Sequence, residues 1–225
     1  MASFDPIFNL TLNHEGGFQK LANDSANYVK GKLIGTNRGI SAIGYYDFYK
    51  KIPTELDMRN LKVEQAKAIY KKNYWDKING DKIKNQSVAE LMFQFIIGSG
   101  ASQLSDLKDI ANVIAGKKII ASIDKTFTDA EIAIINSLPS DKYWNALKLW
   151  RHAFFIRLTT VKPKLKQFLK GWQNRLNSYK YITDSITTEN ATATGGTVFF
   201  LIIVAIAVAK RKSISNWITK QQTKK

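Results

Sequence analysis

From residue 1 to about residue 180, apolar residues recur at helical rather than alternating spacing, which predicts a mainly α protein with few strands. Asp5-Pro6 offers an N-cap followed by proline at the first helical position, and Gly16-Gly17 ends that helix just after Glu15. Ser87 with Glu90, and Thr128 with Glu131, have capping-box spacing ahead of apolar runs. Further helices are expected over Lys62 to Asn73, Ser102 to Ala115 and Trp144 to Leu158. Gly98-Ser99-Gly100 marks a break between a first and a second lobe.

The pattern changes near the C-terminus. Residues 191–209 carry no charge, and 197–209 are almost wholly apolar, which predicts a transmembrane helix once the uncharged Ala-Thr-Gly lead-in is counted. The alternative, a buried core helix, fails on context: an all-round apolar segment followed by Lys210-Arg211-Lys212 has little left to pack against. Residues 183–196, rich in Ser, Thr and Ala, read as a tether. The excess of positive charge in 210–225 predicts a cytoplasmic tail and an enzyme domain on the other side of the membrane. The first residues lack the basic start and apolar run of a secretory signal, so the route across the membrane is open.

Composition adds limits. The 225 residues include no cysteine, which excludes a disulfide framework, a thiol nucleophile and a Cys-rich zinc cluster. His14 and His152 are the two histidines, so no metal site and no cofactor is expected. Of the formal charge of +16, six bases lie in the tail, leaving 28 bases against 18 acids upstream. That excess suits an anionic bacterial envelope, while zinc-finger spacing and stacking-aromatic motifs for specific nucleic-acid binding are missing.

The segment Leu12-Asn13-His14-Glu15-Gly16-Gly17-Phe18 places a carboxyl at the C-terminal end of a helix. The negative end of the helix dipole disfavours a second negative charge, and burial against apolar neighbours adds to this. A carboxyl kept protonated can donate to a glycosidic oxygen. The composition alone leaves a plain surface glutamate equally available.

The His-Glu-Gly-Gly-Phe run resembles the catalytic motif of glycoside hydrolase family 108, the N-acetylmuramidases of bacteria and phages, whose fold is lysozyme-like. Four further segments resemble the same family in order: Gly35 to Ser41, Ile69 to Asp76, Gln86 to Ala89 with Gly98 to Gly100, and Phe168 to Leu176. The resemblance implies a lysozyme-like catalytic lobe over 1–97 and a helical, peptidoglycan-binding lobe over 98–182. It implies Glu15 as general acid. Asp24, nine residues on, would be a second carboxylate that activates or holds water, and Thr36 would position that water. Alternatively Asp24 is a turn residue and Thr36 orders a loop. Tyr45 and Tyr46 are candidates to stack on sugar faces, or form core and groove wall.

The chain departs from the family pattern in a longer segment between Asp24 and Thr36, and in Gln94 and Gly98 where Asp and Asn are usual. The resulting expectation is a membrane-anchored muramidase cleaving the MurNAc-GlcNAc bond of peptidoglycan glycan strands, in a phage virion membrane or a bacterial inner membrane, for phage entry or host lysis. A lytic transglycosylase, an inactive wall-binding or structural membrane protein, and a holin-like pore are the competing expectations.

Overall fold

A computed structural model describes residues 1–97, 103–121 and 126–182. The Gly98 to Gly100 break, the tether, the apolar span 197–209 and the basic tail lie outside the described residues. Two compact units emerge, one of Ser3–Asp81 and one of Met1–Ala2 with the described residues from Lys82 to Ile182. The helix Gln86–Ile97 thus belongs to the second unit.

In the first unit, helix α1 (Phe4–His14) buries Phe4, Ile7, Phe8 and Thr11, the i, i+3, i+4, i+7 stripe of an amphipathic helix. It begins earlier than expected: Ser3 holds the N-cap position, and Asp5 sits in the first turn, where its carboxylate suits the helix dipole and pairs with Lys67 at 2.8 Å. The rings of Phe4 and Trp75 lie 5.4 Å apart, and those of Phe8 and Tyr70 5.9 Å. Trp75 is fully buried, and its indole N–H donates to Asp81 Oδ1 at 2.7 Å.

After a 3-10 turn (Ser25–Asn27) come two minimal antiparallel hairpins, β1 (Tyr28–Val29) with β2 (Lys32–Leu33), and β3 (Thr36–Asn37) with β4 (Ile40–Ser41). Each closes through two residues with positive φ, Lys30-Gly31 and Arg38-Gly39, the requirement of a type I′ turn. The long segment between Asp24 and Thr36 is therefore folded into the 3-10 turn and the first hairpin. Helices α2 (Ala42–Tyr49), α3 (Glu55–Arg59) and α4 (Val63–Tyr70) complete the unit, and α4 runs into a π-helical turn, Lys71–Trp75.

The second unit is helical: α5 (Gln86–Ile97), α6 (Leu104–Ile114), α7 (Asp129–Ser137), α8 (Ser140–Val161) and α9 (Leu169–Ser178), with a 3-10 segment at Pro163–Phe168. Thr128 and Glu131 form the expected capping box. Ser87 and Glu90 do not: Asn85 caps α5 by accepting the Val88 N–H at 3.0 Å, and the buried Ser87 hydroxyl accepts the Ile182 N–H at 2.9 Å.

Among the described residues of this unit, Lys108 and Arg151 are buried cations. Lys108 is fully enclosed, donating to Glu131 at 2.7 Å and to the Thr126 carbonyl at 2.9 Å. Arg151 lies against the rings of Phe95, Phe154 and Phe155, and burial pushes its pKa down to about 10. Among the described residues no helix is long and apolar enough to cross a membrane.

Candidate active site

Glu15 occupies the C-cap of α1: its backbone is extended, with φ −93 and ψ 140, and its N–H still reaches the Leu12 carbonyl at 3.2 Å. The side chain therefore leaves the helix at its negative end and is half-buried. The β3–β4 turn sets one wall. A β-carbon built on Gly39 would come within 2.8 Å of both Glu15 Cγ and Cδ, and would collide with the Tyr70 hydroxyl. Gly39 has φ +73, so both backbone conformation and space demand glycine there. Tyr70 donates its hydroxyl to the Arg38 carbonyl at 3.3 Å, which ties α4 to the same turn.

Tyr74, one helical step beyond Tyr70, lies in the π-helical turn, a distortion often found at functional sites. Burial raises the pKa of its phenol, and the charges of Glu15 and then Asp47 raise it further. Tyr74 therefore stays a neutral phenol in the electrostatic neighbourhood of two carboxylates. Tyr70, Tyr74, Gly39 and Asp47 were not singled out from sequence. The four-residue spacing of the two tyrosines within a family-like segment was the available signal.

A second constellation holds the loop after Glu15. Gln19 and Thr36 exchange backbone hydrogen bonds, both at 2.8 Å. Asn27, fully buried, accepts from the Thr36 hydroxyl at 2.6 Å and donates to Gln19 Oε1 at 3.0 Å and to the Leu21 carbonyl at 3.0 Å. Gly35 lets this strand approach: its β-carbon would sit 2.7 Å from the Gln19 carbonyl oxygen and 2.8 Å from the Phe18 ring. Thr36 is thus built into a polar network anchored four residues beyond Glu15. Asp24 is the N-cap of the 3-10 turn, its Oδ1 accepting the Ala26 N–H at 3.0 Å.

Residues 8–100 match the family model of Glycosyl hydrolase 108. The match supports a glycoside hydrolase activity, and the matched stretch contains the whole Glu15 constellation. The structure of SagA from Brucella abortus is similar in fold, with a TM-score of 0.57 and 19% identity, over 78% of this chain and 94% of that one. No curated protein matches the sequence.

Within the matched stretch, Tyr45 is buried on α2 with its ring 4.5 Å from Tyr49, and burial raises its phenol pKa. Tyr46 is half-buried, with Lys30 Nζ 5.9 Å from its ring centre. Gln94, on α5, is buried and accepts from Arg175 Nη2 at 3.2 Å. Among the described residues no group of three His, Asp or Glu side chains comes together as a metal site requires.

Proposed function

We propose that this glycoside hydrolase cleaves the MurNAc-GlcNAc linkage of peptidoglycan, with Glu15 as the general acid. One observation carries the reading: the Glu15 carboxyl leaves the negative end of α1 against the Gly39 turn and the Tyr70 hydroxyl, inside the matched segment. Glu15 would protonate the leaving glycosidic oxygen as the bond to the anomeric carbon breaks, while water adds to that carbon. Thr36, fixed by Asn27, would position the water, and Asp24 would activate it or stabilise the oxocarbenium-like transition state. Tyr46 and Tyr45 would supply sugar-facing wall, and the second lobe would hold the glycan strand.

Asp24 Oδ1 is engaged by its own turn, and this favours a second reading. In a lytic transglycosylase one glutamate suffices, because the muramic acid's own hydroxyl replaces water.

The apolar span 197–209 would anchor the enzyme in a membrane, with the tail 210–225 in the cytoplasm and the enzyme domain outside. A phage particle with a membrane, or an endolysin held at the bacterial inner membrane, would deliver it to the wall.

Digestion of peptidoglycan by the full chain and by Glu15→Gln, with mass spectrometry of the muropeptides, tests the reaction. Reducing muramic-acid ends that vanish in the variant support hydrolysis, and anhydro-muramic ends mean transglycosylation. Products unchanged by the substitution would overturn the role of Glu15.

A further inference from the structure

Between Asp141 and Asp184 the chain holds ten Lys and Arg residues and no acid. This stretch forms α8, the 3-10 segment and α9, all in the second unit. Arg151 is spent inside the core, but Lys164, Lys166 and Lys170 stand exposed along the 3-10 segment and the first turn of α9.

The same end of the unit exposes large apolar side chains. Phe168 is 49% exposed and Val161 51%, although both belong to an ordered helical connection. Phe168 stacks on Trp172 at 6.0 Å, and Trp172 packs on Phe155 at 5.3 Å, so an aromatic row leads from the helix pair out to solvent. Lysines interleaved with exposed apolar residues, without acids, are the composition of a surface that settles at a bilayer interface, where apolar groups enter the headgroup boundary and cations meet anionic lipid.

Chain continuity points to the same occupant. The basic stretch ends only a short tether before the apolar span 197–209. A patch so close in sequence to a membrane segment meets a bilayer surface at high effective concentration, so weak individual contacts suffice.

We infer that the Val161–Trp172 segment is a docking surface for anionic phospholipid headgroups, holding the second unit against the membrane. This goes beyond glycan cleavage. It depends on the lysines and Phe168, and its failure is separable from failure of the Glu15 chemistry, which is read from muropeptide ends.

The absence of cysteine allows a single reporter. The full chain carrying Gln167→Cys, labelled with an environment-sensitive fluorophore, would be reconstituted into vesicles of phosphatidylcholine alone or mixed with phosphatidylglycerol. The label is expected to be shielded from acrylamide in the mixed vesicles and open in the neutral ones, with shielding lost in high salt. Combining Lys164→Gln, Lys166→Gln and Lys170→Gln should weaken the shielded state at least about tenfold. Resistance to carbonate extraction, read on the same samples, reports the apolar span separately, because it does not require anionic lipid. Equal shielding in both lipid compositions, or shielding that survives the triple substitution, would overturn the inference. So would protection by a soluble anionic wall polymer with none from vesicles.

Discussion

The Tyr70 hydroxyl fills the space that a β-carbon on Gly39 would take, and the Glu15 side chain borders the same point at 2.8 Å. Replacing Gly39 by alanine should therefore do two things. The left-handed backbone adds strain, costing about 1–3 kcal/mol of stability. The displaced Tyr70 and Glu15 lower activity, by about 100-fold if the carboxyl moves by an ångström. Gly44, near the start of α2, is the contrast: its added β-carbon meets the Ser41 oxygen at 3.5 Å, an ordinary contact. Gly44→Ala should stabilise by about 0.5–1 kcal/mol. Thermal unfolding of both variants, with wall-lysis rates for Gly39→Ala, checks the opposite signs.

A carboxylate that raises the Tyr74 phenol pKa must lower it again when its charge is removed. Glu15→Gln should bring Tyr74 down toward the ordinary value, and Asp47→Asn should do so by less, since Glu15 is the larger of the two charges acting. Tyrosine titration followed by carbon NMR measures this. An unmoved Tyr74 would place the Glu15 carboxylate too far away to matter. The same Glu15→Gln protein should lose about 100- to 10,000-fold in glycan cleavage if the proton it donates is the catalytic one.

These relationships divide into those the sequence shows and those it hides. The end of α1 at Glu15 was readable because two glycines follow it, and the Thr128–Glu131 box because both partners lie within one turn. Ser87 with Glu90 had the same spacing, yet Asn85 took the cap, because the Ser87 hydroxyl is committed to Ile182 N–H, ninety-five residues away. The start of α1 also moved, since Phe4 is buried with Ile7 and Phe8 and draws the first turn back to it. Contacts across the chain fix the rest of the candidate site: Gly39 against Glu15, Tyr70 on the Arg38 carbonyl, and Asn27 under Thr36. No local pattern encodes those pairings. The hairpins were hidden for a different reason, as two-residue strands are too short to show alternation.

Asn27 carries the network that holds Thr36. Asn27→Ala removes a fully buried side chain that partners the Thr36 hydroxyl, the Gln19 amide and the Leu21 carbonyl. A loss of about 1–3 kcal/mol in urea unfolding is expected. Thr36→Val keeps the shape and removes only the hydroxyl, so it should cost less in stability. If Thr36 positions water, that variant loses kcat with little change in KM.

Three carboxylates of the first unit have depressed pKa values. Asp81 is held down by its hydrogen bond from Lys71 and then by the Trp75 indole, Asp57 by the backbone and hydroxyl of Thr54, and Glu55 by hydrogen bonds from Lys20 and Arg59. For a depressed acid the stabilisation is complete above the unfolded value, about 4, and disappears as pH falls through the lower folded value. The unit should therefore lose thermal stability on acidification below about pH 4. Asp81→Asn keeps an acceptor for Trp75 and should flatten that dependence. Asp81→Ala removes the acceptor from a buried indole N–H and should cost about 1–3 kcal/mol at neutral pH.

Glu90 on α5 runs the other way. Burial raises its pKa, so the folded protein favours the protonated carboxyl. At neutral pH the side chain is charged in the unfolded state without penalty and charged in the folded state against one, so it subtracts from stability. Below the unfolded value, about 4, both states are protonated and the penalty is gone. Glu90→Gln, which is neutral at every pH, should stabilise the protein at pH 7. That gain should shrink toward zero as pH falls through the raised folded value to the unfolded one. Urea unfolding at pH 7 and near pH 4 measures the difference directly. A gain of equal size at both would mean that packing of the amide, not desolvation of the charge, sets the effect.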